Sequence, residues 1–189
     1  MRPLPFPTGD DSFLKLGVHV LSVVPLGRIF YLRVGFRFDE GLPLGGASLL
    51  PKVERYFAGG DTTIRGYNLD RARTEVVEYT LIPAATPGGQ ALVGVEYRPI
   101  GGNLRILQNI DLQVPISPPW YGSVFMDNGV VADSLQGLTP SLFRHGVGIS
   151  PFLLRLPIGD LSFAWGWPLD PRPGDTRIGV FHVNVGLLF

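Results

Sequence analysis

The chain has 189 residues, room for one domain, and its 16 Lys+Arg balance 16 Asp+Glu, so the basic footprint of a nucleic-acid partner is absent. Hydrophobic residues make up 45% and charged residues 17%, yet no apolar run approaches the roughly 18 positions a spanning helix needs, which excludes a helical membrane protein. The 25 Gly and 18 Pro exclude a helical bundle, the aromatic content argues against disorder, and the absence of Cys removes disulfides, thiolate metal sites and cysteine nucleophiles together.

The class is all-β. The opening Met1-Arg2-Pro3-Leu4-Pro5-Phe6-Pro7 lacks an apolar h-region, so no signal peptide is expected and the sequence reads as a truncated piece. Residues 13–25 then alternate, with Leu14, Leu16, Val18, Val20 and Val24 on one face and Lys15, Gly17 and His19 on the other. The next strand, 28–39, sets Phe30, Leu32, Val34, Phe36 and Phe38 against Tyr31, Arg33, Gly35, Arg37 and Asp39. Pro25-Leu26-Gly27 joins the two as a tight hairpin turn.

From Gly41 to about Gly102 the alternation breaks into Gly/Pro-rich segments, and a connection of that length in a compact domain points to function. It contains Tyr56-Phe57-Ala58-Gly59-Gly60-Asp61-Thr62-Thr63-Ile64-Arg65-Gly66-Tyr67, a composition that no ordinary strand or helix requires. Glycines and small polar residues let the backbone fold tightly there, carrying aromatics and one guanidinium, so the loop reads as built to place Arg65. Further on, 91–97 is either a further strand or part of a loop hairpin.

Alternation resumes at 103–114, where Leu104, Ile106, Gln108, Ile110, Leu112 and Val114 oppose Asn103, Arg105, Leu107, Asn109, Asp111 and Gln113. After a turn at 115–119, strand 120–131 puts Val124 and Met126 opposite Tyr121, Ser123, Phe125 and Asp127, which places Asp127 on the same side as Asp111. Strands at about 143–156 and 160–168 follow, the second with Leu161, Phe163, Trp165 and Trp167 against Ser162, Ala164 and Gly166. The last, 177–189, sets Phe181, Val183, Val185, Leu187 and Phe189 against His182, Asn184, Gly186 and Leu188.

A soluble sandwich also alternates. Two features favour a membrane barrel: the strands are longer than the usual five or six residues and near the roughly 9–11 a tilted spanning strand needs, and one face is rich in Phe, Trp, Val and Leu while the other carries Arg33, Arg37, Arg105, Asn109, Asp111 and Asn184. The expected fold is an antiparallel transmembrane β-barrel segment of about seven or eight strands: a first hairpin over 12–40, a long loop over 41–102 and C-terminal strands over 103–189. An enzyme is not expected, since His19, His145 and His182 lie on separate strands without a nucleophile motif or metal-ligand spacing, and Gly59-Gly60-Asp61-Thr62-Thr63 lacks the Lys and helix of a phosphate-binding loop. No metal or cofactor is expected.

Tyr56-Phe57-Ala58-Gly59-Gly60 followed by Ile64-Arg65-Gly66-Tyr67 resembles the sixth extracellular loop of the BamA-type superfamily of outer-membrane barrels, which includes the TamA assembly factors and two-partner secretion transporters. The resemblance continues in order through Asp111-Leu112-Gln113-Val114-Pro115, Tyr121-Gly122-Ser123-Val124-Phe125-Met126-Asp127-Asn128-Gly129, His145-Gly146-Val147-Gly148-Ile149 and Pro157-Ile158-Gly159-Asp160-Leu161-Ser162-Phe163, ending on Phe189. It covers about residues 12–189 and implies the C-terminal part of a 16-stranded barrel in the bacterial outer membrane, without the periplasmic POTRA domains or the barrel's first half.

The resemblance further implies that the loop folds inward and that Arg65, flanked by Ile64, Gly66 and Tyr67, meets Asp127 of the Asp127-Asn128-Gly129 motif, with Asp111 as a second partner where the family more often has Glu. Phe181, Val183, Val185, Leu187 and the terminal Phe189 match the family's C-terminal signal and one side of its seam. The implied function is insertion or translocation of outer-membrane or secreted client proteins in a lipid bilayer; a small structural or pore-type barrel is the alternative. Because an odd number of strands leaves open edges, either the loop supplies an eighth strand, or a second copy or another barrel segment completes the wall, or the chain is a fragment.

Overall fold

The computed structural model describes residues 12–44, 46–81, 92–156 and 159–187. Among them the chain forms β1 (Phe13–Leu26), β2 (Phe30–Pro43), β3 (Thr74–Leu81), β4 (Leu92–Pro99), β5 (Leu104–Ser117), β6 (Trp120–Ala132), β7 (Arg144–Leu156), β8 (Gly159–Pro168) and β9 (Val180–Leu187). Seven of these make one sheet in the order β1-β2-β5-β6-β7-β8-β9, antiparallel throughout. Wall strands β1, β2 and β5 run for 14 residues each, enough to cross a bilayer with tilt.

The segment 91–97 becomes β4, and it pairs only with β3, from Thr74↔Pro99 to Leu81↔Leu92, in a separate two-stranded sheet. It is a loop hairpin and adds no eighth strand to the wall. Its partner β3 carried no period-2 signal, because the adjacent Val76 and Val77 put an apolar residue on each face. The last strand begins at Val180 rather than 177, since Gly179 turns the chain at φ 90 just before it. Phe189 lies outside the described residues.

Alternation sorts the side chains of the wall into two environments. On one face Val18, Val20, Phe36, Val124, Met126, Ile149, Phe152, Trp165, Phe181 and Val183 are all exposed. Apolar surface of that extent has no place in water and belongs against lipid. A soluble sandwich would have packed it against a second sheet, and among the described residues the one other sheet, the β3–β4 hairpin, packs against none of these strands.

The buried core lies on the other side. Ala58, Ile64, Tyr67 and Ala72 from the loop cluster with Leu107 of β5 and Val131 of β6, every one nearly inaccessible. The loop therefore covers the β5–β6 part of the sheet's polar face while β1 stays exposed on both sides, and what packs the interior is loop against wall.

Candidate functional site

The loop first builds itself. Gly59 and Gly60 take φ of 112 and 107, a region other residues avoid, and a Cβ on Gly59 would sit 2.9 Å from the Arg71 amide. The Gly59 amide donates to Thr63 Oγ1 at 2.8 Å, Gly60 to the Tyr67 carbonyl at 3.0 Å, and Ala72 to the Ala58 carbonyl at 2.8 Å. These bonds close a compact knot whose tip presents residues 63–67 to the wall.

Arg65 is the centre of that tip. Its Nε donates to Asp127 Oδ2 at 2.8 Å and its Nη2 to Asp127 Oδ1 at 2.7 Å, the bidentate fork a planar guanidinium makes with a carboxylate. Nη1 reaches Asp111 Oδ1 at 2.8 Å on the neighbouring strand, and the guanidinium carbon lies 3.6 Å from the centroid of the Phe125 ring. Asp127 is wholly buried and Asp111 nearly so. Burial on its own pushes the Arg65 guanidinium down, but the hydrogen bonds and charges of Asp127 and then Asp111 outweigh it and hold the group above its ordinary value, so it stays cationic.

Asn109 completes the wall of this site. Its Nδ2 lies 2.8 Å from Asp127 Oδ1 and 2.7 Å from the Thr63 carbonyl, tying the wall carboxylate to the loop backbone. From β9, His182 Nε2 donates to the Arg65 carbonyl at 2.8 Å and Asn184 Nδ2 to Asp61 Oδ2 at 2.6 Å. The sequence sets Asn109, Phe125, His182 and Asn184 on the polar face by alternation but does not tie any of them to the Arg65 loop.

Glycines carve the seat. A Cβ on Gly129 would come within 2.7 Å of Ile64 Cδ1 and of Leu107 Cδ2, so Gly129 makes room for the buried Ile64. A Cβ on Gly146 would be 2.9 Å from the Gly66 amide, one on Gly166 would collide with the Arg65 carbonyl, and one on Gly66 would lie 2.7 Å from the Trp167 carbonyl. The backbones of loop and wall touch there, which only small residues allow.

Tyr67 anchors the far side of the tip. Its hydroxyl donates to Asp170 Oδ1 at 2.7 Å, and burial, reinforced by that bond, raises its phenol above the ordinary value. Above its ring, at 5.0 Å, sits the guanidinium of Arg144, the first residue of β7 and only 2% exposed. Arg144 donates to the Ala72 carbonyl at 3.0 Å, to the Asp170 carbonyl at 3.1 Å and to Asp175 Oδ2 at 3.0 Å. One buried cation thus joins the loop to the β8–β9 connection, and nothing in the local sequence marked it.

Ile64, Arg65, Gly66, Tyr67, Asp111, Asp127 and Gly129 are therefore gathered at one place. The terminal set is elsewhere: Phe181, Val183 and Val185 point outward and are exposed, Leu187 pairs through its backbone with Gly159, and Phe189 falls outside the described residues. A second polar knot lies nearer the sheet's first edge, where Asp39 accepts from Arg37 Nε at 2.7 Å, Arg105 Nη2 at 2.8 Å and His19 Nε2 at 2.9 Å while Arg105 Nη1 holds the Phe57 carbonyl at 2.7 Å.

Comparison with known proteins decides the family. The model of the Omp85 superfamily domain matches residues 3–189. The chain belongs to the Omp85 superfamily. Its Omp85 relatives include the outer membrane protein assembly factor BamA of Nitratidesulfovibrio vulgaris, 28% identical over an alignment of 189 positions that covers 96% of this chain and 21% of that protein. Among solved structures, BamA from Haemophilus ducreyi lacking POTRA domains 1-3 aligns with a TM-score of 0.67 at 20% identity, over 97% of this chain and 36% of that one. This Omp85 chain is thus an outer-membrane barrel segment that spans about a fifth of the length of the curated relative it matches.

Proposed function

We propose that the chain is the loop-bearing part of a barrel that inserts or translocates other outer-membrane proteins. In this reading Ile64, Arg65, Gly66 and Tyr67 are the docking tip, and Asp111, Asp127 and Gly129 are its seat. The edge at β9, with Phe181, Val183, Val185, Leu187 and Phe189, is where a client strand pairs. A further barrel segment or a second copy supplies the strand that β1 needs, since lipid cannot satisfy an open edge.

The observation that carries the proposal is the three-point hold on Arg65 by Asp127 and Asp111, a wall site that the inward loop occupies. A chain matching a protein named an outer membrane protein assembly factor, with its loop seated in the wall by charge, suits a gated inserter better than an open pore. The test is complementation: cells depleted of their own insertion factor receive the full-length protein, wild type or Arg65→Ala. Rescue of barrel insertion by the wild type and its loss in the variant support the proposal. Steady conductance in planar bilayers with no rescue by either form favours a pore.

A further inference from the structure

Among the described residues β9 is the last wall strand and pairs on one side, through the eight positions from Gly159↔Leu187 to Gly166↔Val180. Its inner face carries Val180, His182, Asn184 and Gly186, and the two polar side chains, His182 and Asn184, both bond the loop. A backbone carbonyl can only accept, so the His182 ring holds a proton on Nε2 and donates it to the oxygen of Arg65. The same Arg65 grips Asp127 of β6 with its amide, at 2.9 Å, and with its side chain. One residue therefore spans the concave face from β6 to β9, crossing β7 and β8 without depending on the ladders between them.

From this geometry we infer that His182 and Asn184 are positioning residues for the edge strand: the docked loop acts as an internal strut that restrains β9, and these two side chains set how readily the edge frees itself to pair with a client strand. The inference rests on the proposed inserter function for its purpose, but the strut is a physical claim of its own. Wall-to-loop contact through Arg65 holds the strut at β6, and contact through His182 and Asn184 transmits it to β9. Losing either of the last two should free β9 while leaving the loop in its seat.

Hydrogen exchange by mass spectrometry on the full-length protein in lipid nanodiscs reads both ends at once. His182→Ala and Asn184→Ala are expected to speed exchange over 180–187 by about two- to tenfold, the loss of one ordinary hydrogen bond, with exchange over 59–67 unchanged. Asn184→Asp sets a second carboxylate against Asp61 and should speed β9 more than Asn184→Ala does, whereas His182→Gln keeps a donor and should restore most of the protection. If none of the four changes β9, or if β9 and the loop loosen together in each, the strut is overturned. Faster β9 exchange alongside a failed complementation test leaves the strut standing and removes only its assigned purpose.

Discussion

Arg65 meets Asp127 three times: its amide and Nε both reach Oδ2, at 2.9 and 2.8 Å, and Nη2 reaches Oδ1 at 2.7 Å. The backbone contact fixes where the loop turns and the side-chain contacts fix which residue stands at the turn. Asp127 has no exposed surface, so its charge has no recourse to water once the arginine is gone.

Replacing Arg65 by Ala strands that charge and should cost about 3–5 kcal/mol of docking free energy, somewhat less to the extent that water enters the vacated site. Arg65→Lys keeps the charge but not the fork, and should recover only part of the loss. Limited proteolysis of the loop in detergent measures both. Wild-type protection in Arg65→Ala would rule out the docking role.

Gly129→Ala drives a methyl into Ile64 and Leu107, and overpacking of this kind costs about 1–3 kcal/mol. The penalty should shrink when Ile64→Val is combined with it, because the shortened side chain returns the space. A double-mutant cycle on thermal unfolding gives the coupling, and an additive result would show that the two residues do not share a seat.

Tyr67→Phe keeps the ring under Arg144 and removes the hydroxyl that donates to Asp170 at 2.7 Å and, at 3.3 Å, to the His145 carbonyl, a loss of about 1 kcal/mol. Arg144→Met leaves Asp175 without its buried partner and should cost several times more. Equal melting temperatures for the two variants would mean that Arg144 is not the clasp between loop and β8–β9 connection.

Asp133, just past β6 at the rim, is held below the ordinary carboxylate value first by its hydrogen bonds from Arg73, at 2.6 and 2.7 Å, against a smaller opposing effect of burial. A depressed pKa means stability that is present above the ordinary carboxylate range and is lost as pH falls through the depressed value. Acid should therefore loosen the loop stem near Arg73, and Asp133→Asn should remove that part of the acid response. Pepsin cleavage of the stem as a function of pH gives the comparison.

Alternation placed the wall strands, apart from the start of the last one, and the side that most of their residues face, because a barrel wall has two contrasting environments and a period of two reports them directly. It placed Asp111 and Asp127 together without any knowledge of the loop. The partners around them were harder to see. Phe125 and Asn109 had no visible purpose until the loop lay over them, Gly146 and Gly166 matter only because another backbone comes within van der Waals reach, and Arg144 stands at a strand end that looks like any other. The β3–β4 hairpin stayed ambiguous since its apolar residues fall on both faces. Contacts between segments distant in sequence leave no local trace.

The order of the wall bears on how it assembles. β1–β2 is a hairpin and β5 to β9 is a meander, each formed from neighbours along the chain, but the ladder that joins them pairs Leu32 with Leu112 and Arg33 with Asp111 across everything between. Closing so wide a gap is entropically slow. The loop's contacts with Leu107 and Asp111 would shorten the path if made first, by bringing the middle of the intervening chain to β5. In that order of events the loss of Arg65 should slow the joining of the two halves more than the closing of either one.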